Sequence, residues 1–309
     1  MSVRDVGSIC RFGGDEFVSV VLYADAAMYQ AKNFGKRRWV QYTAGMEEDM
    51  LRKSIISQHL YHAKDKNELS VYYQPIWDFT DNPEGCIVSF EALLRWHNST
   101  LGWVSPEEAV RVAEEIGIIN DIGYWVARQA LTDLVVLRQQ VEPLATMAVN
   151  ISAIQLHEPK LVILLLRLLN EKNLKPSYLV IELTESALID GIDKGNNTVR
   201  DLCDLGINIS IDDFGTGCSS LAYLHYIPAN TIKIDQSFVA HIEHNGKTVQ
   251  HIRQLIESYN MRALIEGVET DDQQNALLEL GIHLQQGYLL GRPKPLGFYL
   301  AGMAANKKS

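Results

Sequence analysis

The sequence contains few cysteines and no long apolar run. Its four cysteines are widely separated and show none of the paired spacings of zinc sites or redox motifs, so reduced, structural thiols are expected. They are Cys10, Cys86, Cys203 and Cys218. The most apolar stretch, Leu161 to Leu169, is short and is interrupted by Arg167. A membrane-spanning helix needs about 18 or more consecutive apolar residues, so no membrane segment is predicted.

The sequence also lacks the features of secretion and of binding to a nucleic-acid polymer. Its start shows no basic segment followed by an apolar one and a small-residue cleavage site, so a cytoplasmic location is expected. The formal charge is −10, whereas nucleic-acid binding draws on an excess of Lys and Arg. The negative charge does not exclude a small anionic substrate, because clustered carboxylates can hold metal ions, and these ions attract an anion.

The pattern of apolar residues indicates an α/β fold. With 309 residues and 47% hydrophobic content, the chain can bury a large core. From about Val71, short β-branched runs alternate with longer helix-like segments, which is typical of βα units around a parallel sheet. The predicted strands are Val71–Trp77, Ile87–Phe90, Met147–Val149, Leu179–Ile181, Ile207–Ile211, Thr231–Ile234, Ala263–Ile265 and His283–Gln285.

Eight strands predict a closed (β/α)8 barrel of the TIM type over residues 45–309. The length of sequence from Leu51 to Leu300 matches the roughly 250 residues of a typical barrel. An open doubly wound sheet is the alternative, but no G-x-G-x-x-G follows the first strand, and polar residues recur at strand ends throughout the region. The connection from Trp77 to Ile87 is too short for a crossover helix, so an antiparallel first strand pair is expected.

Polar residues follow most of the predicted strands directly. They are Glu91, Asn150, Glu182, Asp212, Asp235, Glu266 and Gln286, with Asp213 next to Asp212 and Lys233 inside the predicted strand Thr231–Ile234. A lone acidic residue at such a position is most often a helix N-cap or an exposed loop residue. Six strands ending in this way at one face of a barrel instead predict a metal site. Oxygen ligands select Mg²⁺ or Mn²⁺, whereas zinc would favour His and Cys.

Two features of this set suggest hydrolysis of a phosphodiester. Asp212 and Asp213 are adjacent and precede the turn at Gly215, so one could bridge two metal ions while the other serves the second ion. The alternative is a capped helix start at Asp213. Lys233 is either a structural ion-pair partner of the carboxylates or the group that holds and helps to deprotonate an attacking water.

Eight motifs, in order from Tyr72 to Pro293, resemble the EAL-domain family of cyclic di-GMP phosphodiesterases. They are Tyr73-Gln74-Pro75, Glu91-Ala92-Leu93-Leu94-Arg95-Trp96, Val149-Asn150-Ile151-Ser152, Glu182-Leu183-Thr184-Glu185, Asp212-Asp213-Phe214-Gly215-Thr216-Gly217, Lys233-Ile234-Asp235, Glu266-Gly267-Val268-Glu269-Thr270 and Gln286-Gly287-Tyr288. The resemblance implies a metal-dependent barrel hydrolase that converts cyclic di-GMP to linear pGpG, with a homodimer common in the family.

The resemblance also implies roles for individual residues. Ligands of the first metal would be Glu91, Asn150, Glu182 and Asp212, and ligands of the second Asp212 and Asp213. Lys233 and Glu266 would handle the attacking water, and Glu185 would brace the Asp212 loop. The substrate-positioning residues would be Gln74, Arg95, Asp235, Glu269 and Gln286. We expect two Mg²⁺ or Mn²⁺ ions per site and inhibition by Ca²⁺, whose longer bonds polarise water less.

Residues 1–44 resemble a different family. Arg11–Phe17 reproduces the signature hairpin of GGDEF diguanylate cyclases, and Ala24–Lys32 is similar to the last helix of that domain. Most of a cyclase domain is missing between and before these motifs, so a truncated remnant without cyclase activity is predicted. The basic run Lys36 to Arg38 is interpreted as a solvated face.

Two other functions were weighed against the hydrolase. A non-catalytic receptor of cyclic di-GMP that signals through a partner is disfavoured because Glu91, Asp212 and Lys233 are all present. A one-metal barrel lyase acting on a carboxylate substrate would not explain the adjacent Asp212 and Asp213.

Overall fold

The computed structural model describes residues 45–193, 197–215 and 227–306. The chain divides into two compact units, Met1–His62 and Ala63–Ser309. Of the first unit the structure describes helix α1 (Gly45–Ala63), which ends at the boundary. The predicted remnant at residues 1–44, with its hairpin, helix and basic run, lies outside the described residues and stays a prediction, as does the boundary at residue 45.

The second unit contains a nine-stranded sheet surrounded by helices. The strands are β1 (Leu69–Asp78), β2 (Cys86–Asn98), β3 (Gly102–Val104), β4 (Thr146–Asn150), β5 (Leu179–Thr184), β6 (Asn208–Phe214), β7 (Thr231–Ile234), β8 (Arg262–Ile265) and β9 (Leu284–Gln285). The helices are α2 (Pro106–Glu115), α3 (Ile119–Gln140), α4 (Ala153–Leu156), α5 (Leu161–Glu171), α6 (Glu185–Asp193), α7 (Thr198–Asp204), α8 (Ile242–Ser258), α9 (Asp271–Glu279) and α10 (Leu296–Asn306). Short 3₁₀ turns occupy Pro176–Tyr178 and Gln236–Phe238.

The sheet closes into a barrel of eight strands, which confirms the predicted fold. The order is β1-β9-β8-β7-β6-β5-β4-β2, and β1 also pairs with β2. Strand β1 runs antiparallel to both of its neighbours, whereas the pairs from β2–β4 through to β8–β9 are parallel. The antiparallel first pair follows from its short connection, residues 79–85, which cannot hold a crossover helix. Strand β3, which was not predicted, pairs with β2 outside the barrel.

The apolar core supports the strand ends that carry polar residues. Ile76, Leu264 and Leu284 form a buried cluster contributed by β1, β8 and β9. Each lies two residues from a polar residue of the mouth, Gln74, Glu266 and Gln286 respectively, and therefore shares its face of the sheet. Apolar packing thus lies one layer below the polar mouth.

Local sequence explains where two of the surrounding helices begin. Pro106 is the first residue of α2, a position that tolerates the missing N–H. Thr270 caps α9 through a capping box with Gln273, which closes the segment that follows β8. Among the described residues, no helix combines the length and the apolar character needed to cross a membrane.

Candidate active site

The parallel strands bring the predicted polar residues together at one end of the barrel. Glu91 lies within β2, Glu182 within β5, and Lys233 within β7. All three side chains are buried, and Glu182 and Lys233 are each only 1% exposed. Burial of charged groups to this degree is costly unless they are paired, so the arrangement of opposite charges decides whether the site is stable.

Lys233 is the centre of the site. Its Nζ atom lies 2.7 Å from Glu266 Oε1 and 3.1 Å from Glu182 Oε2. It also lies 3.4 Å from Glu91 Oε2 and 3.4 Å from Asp212 Oδ1. One ammonium therefore bridges carboxylates from β2, β5, β6 and the segment after β8, and it holds these strand ends together.

Two amide side chains fix the orientation of Glu91. Asn150 Nδ2 donates to Glu91 Oε1 at 2.7 Å, and Gln286 Nε2 donates to Glu91 Oε2 at 2.7 Å. The Gln286 Oε1 atom is buried, and no group of the described residues donates a hydrogen bond to it. Because a buried acceptor without a partner is unfavourable, this atom is suited to accept a hydrogen bond from a bound molecule.

The four carboxylates around Lys233 hold more negative charge than one ammonium can balance. Burial alone would raise the pKa of Glu91, but Lys233 and the two amides lower it below its ordinary value. Burial and the neighbouring carboxylates raise the pKa of Glu182 well above its ordinary value, and they raise that of Glu266 to about 7. Burial would lower the pKa of Lys233, but the carboxylates raise it well above its ordinary value. The cluster is therefore short of positive charge.

This donor set fits divalent cations in its chemistry. Glu91, Asn150, Glu182 and Asp212 present oxygen atoms, the donors that Mg²⁺ and Mn²⁺ take, together with surplus negative charge. Among the described residues, no three His, Cys, Asp or Glu side chains are grouped so that they could hold a metal ion. The ammonium of Lys233 lies among these carboxylates, so ion binding would require small shifts of their side chains.

Asp212 and Asp213 both reach the mouth because the backbone turns between them. Asp213 has a φ of 56°, in the left-handed region that non-glycine residues seldom adopt, and its N–H donates to Asp212 Oδ1 at 3.0 Å. Burial, together with the charges of Asp212 and Asp235, raises the pKa of Asp213. The strained turn explains how neighbours in the sequence can face the same site. The predicted continuation through Thr216 and Gly217 lies outside the described residues.

A cleft of about 260 Å³ opens above this cluster. Its lining includes seven of the predicted site residues, Gln74, Glu91, Asp213, Asp235, Glu266, Glu269 and Gln286. It also includes Leu93, Gln236, Gly267, Gly287 and Tyr288, for which no role was predicted. Four of these five lie inside the quoted motifs that begin at Glu91, Glu266 and Gln286, and this proximity was the available signal.

The remaining predicted residues have local partners. Gln74 Nε2 donates to the Gly291 carbonyl at 3.2 Å, which anchors the segment after β9 to β1. Asp235 Oδ1 accepts from the Ser237 N–H at 2.9 Å and so caps the adjacent 3₁₀ turn. Burial lowers the pKa of the half-buried Arg95, which lies on β2 beyond Leu93. Glu185 is the first residue of α6, and its predicted bracing of the Asp212 loop stays a prediction.

Gly287 is required by the close approach of two segments of the mouth. A Cβ atom on Gly287 would lie 2.1 Å from the Val268 carbonyl oxygen and 2.2 Å from its nitrogen. These are backbone atoms that cannot rotate away, so we expect Gly287→Ala to displace residues 266–269 and to destabilise the fold by about 1–3 kcal/mol. Any activity that depends on the mouth should fall as well. Denaturant unfolding and an activity assay measure the two effects.

Gly246→Ala is the matched control for this substitution. Gly246 lies within α8, and a Cβ atom there would meet only Leu280 Cδ1 at 3.7 Å. Replacing a helical glycine with alanine should stabilise the protein by about 0.5–1 kcal/mol. Equal effects of the two substitutions would contradict the close approach at Gly287.

Comparison with known proteins identifies related sequences. The family model described as EAL domain matches residues 57–293. The bifunctional diguanylate cyclase/cyclic di-GMP phosphodiesterase MucR of Pseudomonas aeruginosa is 35% identical over 92% of this chain and 42% of its own length. The cyclic di-GMP phosphodiesterase PdeR of Escherichia coli is 31% identical over 91% of this chain and 42% of its own length. The chain spans between 32% and 42% of the length of the first curated relatives it matches.

Solved structures agree with the fold. The structure of PaMucR phosphodiesterase in complex with c-di-GMP has a TM-score of 0.73 and is 36% identical, covering 78% of this chain and 98% of that one. The EAL enzyme Bd1971 in its cAMP-bound form has a TM-score of 0.76 and is 31% identical, covering 84% of this chain and 73% of that one.

Proposed function

The chain belongs to the EAL domain family, and from this we propose that it hydrolyses cyclic di-GMP to linear pGpG at the mouth of its barrel. The observation that carries the proposal is the buried Lys233, held among four carboxylates at the ends of the strands. An ammonium with this many acceptors is fixed in place, and it can orient a water molecule toward an electrophilic phosphorus. The family relatives MucR and PdeR, named as phosphodiesterases, support the reaction type.

The proposed metal ligands are the carboxylate and amide side chains whose oxygen atoms suit Mg²⁺ or Mn²⁺. Family members generally use divalent metal ions. Glu91, Asn150, Glu182 and Asp212 would hold one ion, and Asp212 with Asp213 would hold a second. Bound there, Mg²⁺ or Mn²⁺ supplies a water of lowered pKa and offsets the charge of the phosphate.

The protein's own side chains position the water and accept its proton. Lys233 donates a hydrogen bond to the water oxygen. The position of its Nζ atom is fixed by Glu182 Oε2, which lies 3.1 Å away. Glu266, whose Oε1 lies 2.7 Å from Lys233 Nζ, lines the cleft and is placed to accept a proton from that water. The pair thus combines a fixed cation with a neighbouring base on the open side of the site.

The cleft also offers groups that match a guanine-containing dinucleotide. Asp235 and Glu269 line it with carboxylates, which can accept hydrogen bonds from the N–H groups of a guanine. Gln286 Oε1, which has no donor among the residues that the structure describes, provides a further acceptor beside Glu91. Gln74 lies opposite Glu91 in the β1–β2 register and completes this side of the cleft.

Two further features belong to the proposal. A homodimer is proposed because the family resemblance implies one, and light scattering on the purified protein measures it. A cytoplasmic location is proposed because the substrate is a second messenger, and cell fractionation measures it.

The metal requirement gives the direct test of this function. With cyclic di-GMP as substrate, we expect pGpG to form with Mg²⁺ or Mn²⁺ and to stop forming with a chelator. Ca²⁺ takes about 6–8 oxygen ligands at roughly 2.3–2.6 Å in a looser geometry, so it should occupy the carboxylates and inhibit. Chromatographic separation of pGpG from the cyclic substrate measures each condition.

A binding titration of cyclic di-GMP in Ca²⁺ alone is the companion measurement. We expect binding to persist there while turnover stops. Turnover in Ca²⁺ equal to that in Mg²⁺, or turnover unaffected by the chelator, would contradict the proposed use of metal ions.

A further inference from the structure

Strand β2 continues beyond the rim of the barrel and forms a ribbon with β1 and β3. Its pairing with β4 ends at Ala92↔Val149, whereas its pairing with β1 continues as far as Leu69↔Trp96. Beyond the rim, β3 pairs with its last residues, including His97↔Trp103. Residues 93–98 of β2, with the paired parts of β1 and β3, therefore stand above the mouth, and we call this part the ribbon.

One face of the ribbon continues the wall of the cleft. Side chains two residues apart on a strand share a face, so Arg95 and His97 follow Glu91 and Leu93, both of which line the cleft. Directly paired residues of neighbouring strands also share a face, which adds Tyr72, opposite Leu93. The opposite face of β2 carries the buried Leu94 and Trp96 and belongs to the core.

Aromatic rings cover the cleft-side face of the ribbon. The ring of Trp103 lies 5.0 Å from that of His97 and 6.4 Å from that of Tyr72, with edge-on geometry in both cases. The guanidinium of Arg95 lies over the Tyr72 ring at 5.7 Å. Since Tyr72 is opposite Leu93 and Trp103 is opposite His97, the indole leans back across β2 toward the cleft.

The Trp103 ring is exposed in a way that packing does not require. The residue is 60% exposed, and the two rings of the described residues that contact it, those of Tyr72 and His97, meet it edge-on. A large aromatic surface next to a polar cleft, with a guanidinium beside it, is the chemistry that binds a nucleobase by stacking and by hydrogen bonds to its edge.

We propose that Trp103 and Tyr72, with Arg95 between them, bind the nucleobase of the dinucleotide that lies farther from the Lys233 cluster. This inference rests on the function proposed above. It adds a region on the ribbon that binds the second nucleobase of the dinucleotide substrate. The reacting phosphate lies at the carboxylates, and one base reaches outward along the wall formed by Leu93. Trp103 affects how tightly the dinucleotide is held and does not touch the reacting atoms.

Replacing Trp103 tests the inference through the separation of KM from kcat. Loss of base stacking by Trp103→Ala should raise KM for cyclic di-GMP by about 5- to 150-fold with kcat within about twofold of wild type. Trp103→Phe should restore most of the affinity. The rate on bis(p-nitrophenyl) phosphate, a diester without nucleobases, should not change.

Phe298→Ala is the matched control, because Phe298 is another exposed aromatic, 56% exposed, on α10 outside the cleft lining. It should leave KM unchanged. A KM for Trp103→Ala equal to that of wild type, or an equal loss on the base-free diester, would overturn the inference.

Equilibrium binding of cyclic di-GMP in chelator separates this inference from the proposed function. If the wild-type protein is inactive but binds the dinucleotide more tightly than Trp103→Ala does, the function fails and the base-binding region stands. If it hydrolyses cyclic di-GMP while the two proteins bind it equally, the region fails and the function stands. If it neither hydrolyses nor binds cyclic di-GMP, both are overturned.

Discussion

Lys233→Met is expected to abolish turnover and to weaken the fold at the same time. Methionine keeps an unbranched side chain, one atom shorter than that of lysine, but removes the charge that four buried or half-buried carboxylates share. Removing one partner of a buried ion pair costs about 3–5 kcal/mol, because the remaining charges are left uncompensated. Loss of the group that orients the water should lower kcat by about 100- to 10,000-fold.

The two effects separate when metal is added. Denaturant unfolding in chelator should show the full loss of stability, and Mg²⁺ should restore part of it because a bound cation replaces the missing charge. Activity should stay low in both conditions. Lys247→Met, on the exposed surface of α8, is the control and should change neither property. A Lys233→Met protein as stable as wild type in chelator, or with more than a tenth of its activity, would refute the central role of this ammonium.

Glu91→Gln should have a large effect on activity and a small one on stability. A glutamine keeps one oxygen that can accept from Gln286 Nε2, and its NH2 group then faces Asn150, whose amide can rotate by 180° to present its own oxygen. The hydrogen bonds therefore survive, while the negative charge and one proposed metal ligand are lost. Replacing an outer-shell partner of a ligand already costs about 10- to 100-fold, so losing the ligand itself should cost at least about 100-fold.

Activity at saturating Mg²⁺ and thermal unfolding measure these two outcomes. The control is Glu279→Gln. Glu279 is the exposed last residue of α9, which precedes β9. This substitution makes the same chemical change away from the mouth and should be neutral. Normal activity in Glu91→Gln would remove this residue from the proposed ligand set.

The positions of the strands and of the mouth residues could be predicted because they follow from alternation and from strand ends. All eight predicted barrel strands are present, and Glu91, Glu182 and Glu266 converge as the closed parallel sheet requires. The strand containing Glu91 was predicted too short. The strand runs to Asn98, because Arg95 and His97 alternate with the buried Leu94 and Trp96.

Other features depend on contacts between distant segments and could not be predicted from local patterns. The three-residue strand β3 is too short to show a period, yet it places Trp103 above the cleft. The sequence left open whether Lys233 is an ion-pair partner or acts on water, and the structure adds that one ammonium contacts four carboxylates, from three strands and the segment after β8. Aspartate is one of the few non-glycine residues that tolerate a left-handed turn, but the turn at Asp213 depends on its surroundings as well and could not be predicted from the residue type alone.

A single-turnover experiment tests most directly whether this site hydrolyses its dinucleotide or only binds it. Protein in excess over cyclic di-GMP is mixed with Mg²⁺, quenched, and the nucleotide is recovered and separated by chromatography. The account predicts that the recovered nucleotide is linear pGpG, and that Lys233→Met returns the cyclic form. Cyclic di-GMP recovered intact from the wild-type protein, after binding has been shown to occur, would contradict the account and favour a receptor.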